Sequence, residues 1–243
     1  MNFMNFATWN VRTILDHRDT NRPARRTALV THELSRFDVD LAALKQGSGY
    51  TIFWKGKEPG QTHMHGVGFA IKTKLVKSLN LTPSCITGRI MSIRISLSIS
   101  SFITIFSIYA PTLNAEDNIK EEFYHQLDQQ LTAVPSSDKI LLLGDFNARL
   151  GKNHQLWEKV VGKDGVRNSN ANGHLLGLCS EHQLAVTNTF FRQRNRFKTT
   201  WQHPRSKYWH FLDYAITRQC DLKDVLITRS MLSAVSKCLC ACV

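Results

Sequence analysis

Apolar and polar positions along the 243-residue chain fall into short runs with two different periods. Alternating or continuous apolar runs predict strands over residues 3–11, 39–44, 50–55, 67–71, 90–97, 102–109, 140–143, 184–188, 199–202 and 211–217. Helical spacing marks residues 25–37, where Ala28, Leu29, Leu34 and Phe37 recur, and a short stretch over 175–181. The clearest helix spans 114–134, with Ile119, Phe123, Leu127 and Leu131 on one stripe that reads as core, and Pro135 stops it. A Gly- and Asn-rich loop covers 151–173, and the chain carries no repeat, linker or low-complexity block. The loose alternation of strands and helices predicts α/β layers with mixed sheets in one domain.

Several of these apolar strands deliver polar groups at their carboxyl ends: Trp9-Asn10-Val11-Arg12, Tyr109-Ala110-Pro111-Thr112, Gly144-Asp145-Phe146-Asn147 and Leu212-Asp213-Tyr214. Residues from many strand ends can converge on one crevice. The most informative string is LLLGDFNARLG, residues 141–151. There a core strand ends at Gly144, and Asp145 and Asn147 follow two positions apart, a spacing that sends both side chains the same way. A carboxylate can orient a water or take its proton, and a carboxamide can donate to a phosphoryl oxygen. That pairing suits phosphodiester hydrolysis; a polar turn after a core strand accounts for the string as well.

Charge narrows the choice of partner. Lys and Arg outnumber Asp and Glu by 31 to 19, giving a formal charge of +12 and a pI near 9.6. Such a balance points to an anionic partner, nucleic acid ahead of acidic lipid. The segment Trp201-Gln-His-Pro-Arg205-Ser-Lys207-Tyr-Trp209 interleaves aromatics with cations, which can stack on bases and meet phosphates. A strand pair with an exposed basic turn is the alternative, as a solvated helix start is for Arg22, Arg25 and Arg26. No apolar run is long enough to cross a bilayer, so no membrane partner is expected. The first residues lack a basic leader followed by an apolar run, and the six Cys include no C-x-x-C pair. These features predict an intracellular, reduced protein, nuclear or cytoplasmic and not secreted.

In order and spacing the four polar clusters resemble the endonuclease/exonuclease/phosphatase family of Mg²⁺-dependent phosphodiesterases. The closer resemblance is to endonuclease domains of non-long-terminal-repeat retrotransposons and their craniofacial development protein 2-like relatives. The strings YAPTLNAEDNIKEEFYHQLDQQL, DKILLLGDFNARLG, TTWQHPRSKYWHFLDYAITR and DLKDVLITRSM carry it. The resemblance implies a four-layer sandwich, an α/β (α+β) fold with two mixed β-sheets packed face to face and helices outside. It implies that Asn10 helps order the metal-site carboxylates and that Tyr109 contacts the scissile phosphate. Asp145 would orient or deprotonate the attacking water, Asn147 would hold water and phosphate in line, and Asp213 would orient a catalytic histidine. Magnesium is the implied cofactor and DNA the implied partner, with Arg12, Asn172, Trp201, Arg205 and Lys207 as candidate contacts.

Two departures qualify the resemblance. In the family the second core strand ends in a metal-binding glutamate; here VDLAAL is followed by Lys45-Gln-Gly-Ser-Gly49, and no Glu occurs between Glu33 and Glu58. The family also closes with Ser-Asp-His or Thr-Asp-His on a last strand, whereas here no His follows His210 and no Asp follows Asp224. A deletion near Leu44 and a frameshift or splice change near Ser230 would account for both. The expected organisation is therefore an incomplete domain over 1–229 and a divergent Cys-rich tail over 230–243, with an open sheet edge where the last strand is lost. The expected function is an impaired Mg²⁺-dependent endonuclease-type domain. A catalytically inactive nucleic-acid-binding remnant and a phosphatase acting on small phosphoesters are the alternatives.

Overall fold

The computed structural model describes residues 4–9, 25–43, 49–55, 66–151, 154–165, 173–202, 207–232 and 237–242. The strands are β1 (Asn5–Thr8), β2 (Leu41–Ala43), β3 (Tyr50–Lys55), β4 (Val67–Lys72), β5 (Ser84–Cys85), β6 (Ile90–Ser96) and β7 (Phe102–Tyr109). They continue with β8 (Lys139–Asp145), β9 (Leu184–Val186), β10 (Trp201–Gln202), β11 (Trp209–His210), β12 (Asp213–Arg218), β13 (Ile227–Leu232) and β14 (Lys237–Cys242). The helices are α1 (Arg25–Arg36), α2 (Thr73–Leu79), α3 (Asp117–Thr132) and α4 (Gly173–Glu181).

Among the described residues these build two six-stranded mixed sheets, in the orders β13-β14-β1-β2-β4-β3 and β5-β6-β7-β8-β12-β9, and a two-stranded hairpin β10-β11. Both parallel pairs, β1 with β2 and β7 with β8, are joined through a helix, α1 and α3 respectively, as a parallel crossover requires. Alternation along the strands sorts the core into three layers. Phe6, Leu41, Phe69, Ile71, Ile93, Ile105, Leu141, Leu143, Ala215, Leu239 and Ala241 pack between the sheets. Phe106, Ile108, Ile140 and Leu142 turn outward and meet Phe123, Leu127 and Leu131 of α3 and Leu175 and Cys179 of α4. Ala7, Ala42 and Ala70 turn outward on the other sheet and meet Val30 and Leu34 of α1. The fold is thus the α/β four-layer sandwich with helices outside. Each fully buried Leu, Ile or Phe contributes about 1.5–3 kcal/mol relative to exposure.

The structure corrects two expectations. The stripe on α3 is Phe123, Tyr124, Leu127 and Leu131, and Ile119, in the first turn of the helix, is exposed. The last core strand is not lost: β14 runs between β1 and β13, antiparallel to both, so β1 has no open edge on that side. Cysteine supplies the reason. In Lys-Cys-Leu-Cys-Ala-Cys, Leu239 and Ala241 face the inter-sheet core, and Cys240 packs on the outer layer. Cys behaves as a small hydrophobe, so the segment has the two-sided apolar pattern of a buried strand.

Candidate active site at the strand tips

Strand register brings the site together. Tyr109 at the tip of β7 pairs with Asp145 at the tip of β8, and Asp145 pairs with Asp213 at the first residue of β12. Paired residues on neighbouring strands share a face. Asp145 and Asp213 lie two positions from Leu143 and Ala215, which belong to the inter-sheet core, so all three polar side chains project between the sheets at one end. Across from them stands the tip of β1, whose buried Thr8 shares the inward face with Phe6.

Gly144 makes the β7–β8 contact possible. A Cβ at this position would lie 1.9 Å from the backbone oxygen of Ile108. Beyond it the chain turns sharply. Ala110 N donates to Asp145 O (2.9 Å), and Phe146 N donates to Leu212 O (3.0 Å). Asn147 takes a left-handed conformation (φ +48°), donates its backbone N–H to Asp145 Oδ1 (3.0 Å) and its Nδ2 to Ala110 O (2.9 Å). Asn tolerates this conformation better than most side chains. The carboxylate of Asp145 is therefore held by an Asx-type turn, and the Asn147 carboxamide braces the neighbouring strand end.

Asp213 is placed differently. It is 4% exposed, and its Oδ1 has no hydrogen-bond partner among the described residues. Burial, and then the charge of Asp145, push its carboxyl well above the usual carboxylate range; the Thr200 hydroxyl works in the opposite direction. Its backbone is fixed on both sides: Asp213 N donates to Thr200 Oγ1 (3.3 Å), and Asn188 Nδ2 donates to Asp213 O (3.4 Å). Thr200 and Asn188 are site neighbours that sequence reading missed. Thr200 sits in a segment read as plain strand, and Asn188 is the middle residue of a 3-10 turn, Thr187–Thr189, after β9 rather than an extension of that strand. Arg89, also missed, lies just before β6; its Nη1 donates to Tyr109 O (3.2 Å) and its guanidinium stands 5.6 Å from the Tyr109 ring centre.

The remaining predicted residues divide in two. Trp201 lies on β10, paired with β11 beside Asp213, and its ring meets His210 at a tilt of 38° with ring centres 5.4 Å apart; Lys207, just before β11, is exposed. Asn10, Arg12, Asn172 and Arg205, with Lys45, lie outside the described residues.

The magnesium implied by the resemblance needs oxygen ligands that carry negative charge. Asp145 and Asp213 adjoin, but no group of three or more His, Cys, Asp and Glu that could hold a metal ion occurs among the described residues. The described residues do not fit a resident magnesium site. No described helix is long and apolar enough to cross a membrane.

Known proteins place this geometry. The chain is 28% identical over 224 residues to craniofacial development protein 2 of Bos taurus and 26% identical to that of Tragulus javanicus, covering 88% of this chain in each case. It spans 36% and 37% of the length of those relatives. Its fold matches the endonuclease domain of TRAS1, a telomere-specific non-LTR retrotransposon (TM-score 0.68, 15% identity, 98% of this chain and 97% of that one). It also matches the AP endonuclease LMAP of Leishmania major (0.69, 14%, 99% and 87%) and D. rerio TDP2 complexed with a single-strand DNA product (0.62, 11%, 100% of both). The family is generally metal-dependent. Residues 7–227 match the Endonuclease/Exonuclease/phosphatase family, and the chain belongs to it.

Proposed function

We propose that this chain is a retrotransposon-type endonuclease domain that still engages DNA but has lost most of its Mg²⁺-dependent phosphodiester cleavage. The observation that carries the reading is Asp213: a buried carboxyl at the strand tips with one oxygen that has no partner among the described residues. Its role by resemblance is to orient an imidazole, and none of β13, β14 or the residues between them contains a His for that place. Asp145 keeps the turn that would aim it at a water, and Tyr109 keeps its place beside it. What is missing is the charge stabilisation of the phosphoryl oxygens. Metal and positioned donors normally supply several kcal/mol of it, and each 1.36 kcal/mol is tenfold in rate.

DNA engagement rests on the charge of +12 and on the aromatic hairpin beside Asp213, where Tyr208 is 60% exposed. In this reading Trp201 and Lys207, with Arg12, Asn172 and Arg205, are the groups that meet the nucleic acid. The test is a pair of assays on the purified chain. Labelled duplex DNA should bind with an affinity that falls steeply with salt. Nicking of supercoiled plasmid in Mg²⁺ should be at least about a thousandfold slower than that of an intact family endonuclease, the loss expected for about 4 kcal/mol of stabilisation. Nicking at the intact enzyme's rate, abolished by Asp145→Ala, would overturn the reading.

A further inference from the structure

Residues 190–198, Phe-Phe-Arg-Gln-Arg-Asn-Arg-Phe-Lys, hold a row of cations that the strand-tip site does not use. Arg192, Arg194 and Arg196 are exposed, and Gln193 between the first two is not. The alternation has a cause. Gln193 Nε2 donates to Thr228 O (2.9 Å), turning that residue in against β13 and its neighbours out. Three positions on, Ser230 Oγ donates to Arg196 O (3.2 Å), so the segment is tied to β13 at a second point. Neither Arg192 nor Arg194 forms an ion pair with a described residue. Arg192 and Arg194 alternate with Gln193, and Arg196 follows in a single 3-10 turn, Asn195–Phe197, its guanidinium 4.7 Å from the Phe197 ring centre, so three exposed cations follow one another on a backbone tied to β13.

Register gives the row a direction. Thr228 pairs with Ala241, which pairs with Phe6 in the middle of β1; Ser230 pairs with Leu239, which pairs with Thr8 at the tip of β1. The segment therefore climbs the edge of the sandwich toward the strand tips. It arrives there as Thr200, whose hydroxyl accepts from Asp213 N. The two tie points on β13 are two residues apart, about 7 Å of strand rise. That spans about two nucleotides along one strand of a duplex, at about 3.4 Å each.

We propose that Arg192, Arg194 and Arg196 form a phosphate track that holds the backbone of duplex DNA leading into the strand-tip site. The proposal rests on the DNA-binding reading above and adds to it the surface that carries the flanking duplex. Arginine suits the task because its guanidinium stays charged and forks onto phosphate oxygens. Such interactions fix position without reading sequence, so the track contributes equally on any duplex.

The experiment uses the full chain and a labelled duplex of about 20 base pairs, titrated by fluorescence anisotropy across a salt series. The triple variant R192Q/R194Q/R196Q should bind more weakly on every sequence and flatten the slope of log K against log salt by roughly 2–3, about 0.9 for each phosphate that is no longer neutralised. Arg194→Glu alone should weaken binding in the same direction. Arg229→Gln should leave both affinity and slope unchanged: Arg229 pairs with Cys240, whose side chain packs on the outer layer, so it emerges on the opposite face of β13. Wild-type slope in the triple variant, with Trp201→Ala or Lys207→Ala still weakening binding, overturns the track and leaves the DNA reading intact. Absence of duplex binding by the wild-type chain overturns both. Binding of a single-stranded RNA of equal length more tightly than the duplex, with the same arginine dependence, overturns the duplex assignment.

Discussion

Two buried aspartates sit at opposite ends of the β7-β8-β12 sheet, and they live in opposite environments. Asp138, just before β8, has a fully covered side chain; it accepts from Arg94 Nε (2.6 Å) and Nη2 (2.9 Å) and from Thr104 Oγ1 (3.1 Å). Arg218 Nε donates to its backbone oxygen (3.1 Å), and Arg94, its first partner, holds its carboxyl below the usual range. Asp213, at the far tip, has a carboxyl pushed the other way by burial and by Asp145. At Asp138 the Arg94 hydrogen bond outweighs the cost of burial, whereas at Asp213 burial dominates and the Asp145 charge adds to it. One end of the sheet is built to stabilise the fold. The other keeps a buried carboxyl that its surroundings push toward the neutral form, with one oxygen that has no partner among the described residues.

The largest effect should come from the strand pairing that links the two ends. Gly144→Ala places a methyl 1.9 Å from the Ile108 backbone oxygen, which no side-chain movement relieves. It should destabilise the protein by about 4 kcal/mol, a size reserved for backbone clashes and core cavities, read as a shift in the urea midpoint.

Next in size is a pair of substitutions with opposite signs. Asp138→Ala removes a charged hydrogen-bond acceptor and should cost about 2 kcal/mol at pH 7. Asp213→Asn removes a carboxyl whose ionised form the site disfavours and should stabilise the fold at pH 7. Equal signs from the two would break the comparison. The pH dependence sharpens it. The folded-state value of Asp138 lies below its unfolded one, so its contribution is present above the unfolded value, about 3.9, and is lost as pH falls through the folded one. The folded-state value of Asp213 lies above its unfolded one, so the fold is best off below about 3.9 and loses stability as pH rises toward the folded value. Urea midpoints measured from pH 3 to pH 8 should therefore show a flattened acid limb in the Asp138 variant. The Asp213 variant should gain only on the neutral side.

The sequence carried much of this arrangement, for reasons particular residues make plain. Phe102–Tyr109 and Tyr50–Lys55 were read at their true bounds because a β-branched and aromatic run ends in a Pro-containing or Gly-containing turn. Asp145 and Asn147 stood out because the apolar run breaks at Gly144; the strand itself continues through that glycine to Asp145, with the Ile108 backbone too close for any side chain. The convergence of Tyr109, Asp145 and Asp213 was expected from strand ends, but the register that joins them is a long-range property no local pattern encodes. β14 escaped because cysteine draws attention as a reactive group and not as a β-strand side chain. β13 was missed because its inward residues are Thr228 and Ser230, which satisfy their hydroxyls on Thr187 and Arg196 instead of reading as apolar.

The smallest predicted effect is the most diagnostic of how the hairpin and the strand tips communicate. Thr200 Oγ1 accepts from Asp213 N at 3.3 Å and from Leu212 N at 3.4 Å, both near the upper limit of useful length. Thr200→Val should therefore cost only about 0.5–1 kcal/mol of stability. The hydroxyl also favours the ionised form of Asp213, so its loss should drive that carboxyl further toward neutrality. In the Asp213→Asn background this second effect has nothing to act on. A double-mutant cycle between Thr200→Val and Asp213→Asn should then show a coupling of roughly 0.5 kcal/mol or more at pH 7 that shrinks at pH 3, where the carboxyl is neutral in both states. A coupling that is the same at both pH values would mean that Thr200 holds only the backbone of the hairpin, and that the electrostatic strain at Asp213 is relieved elsewhere.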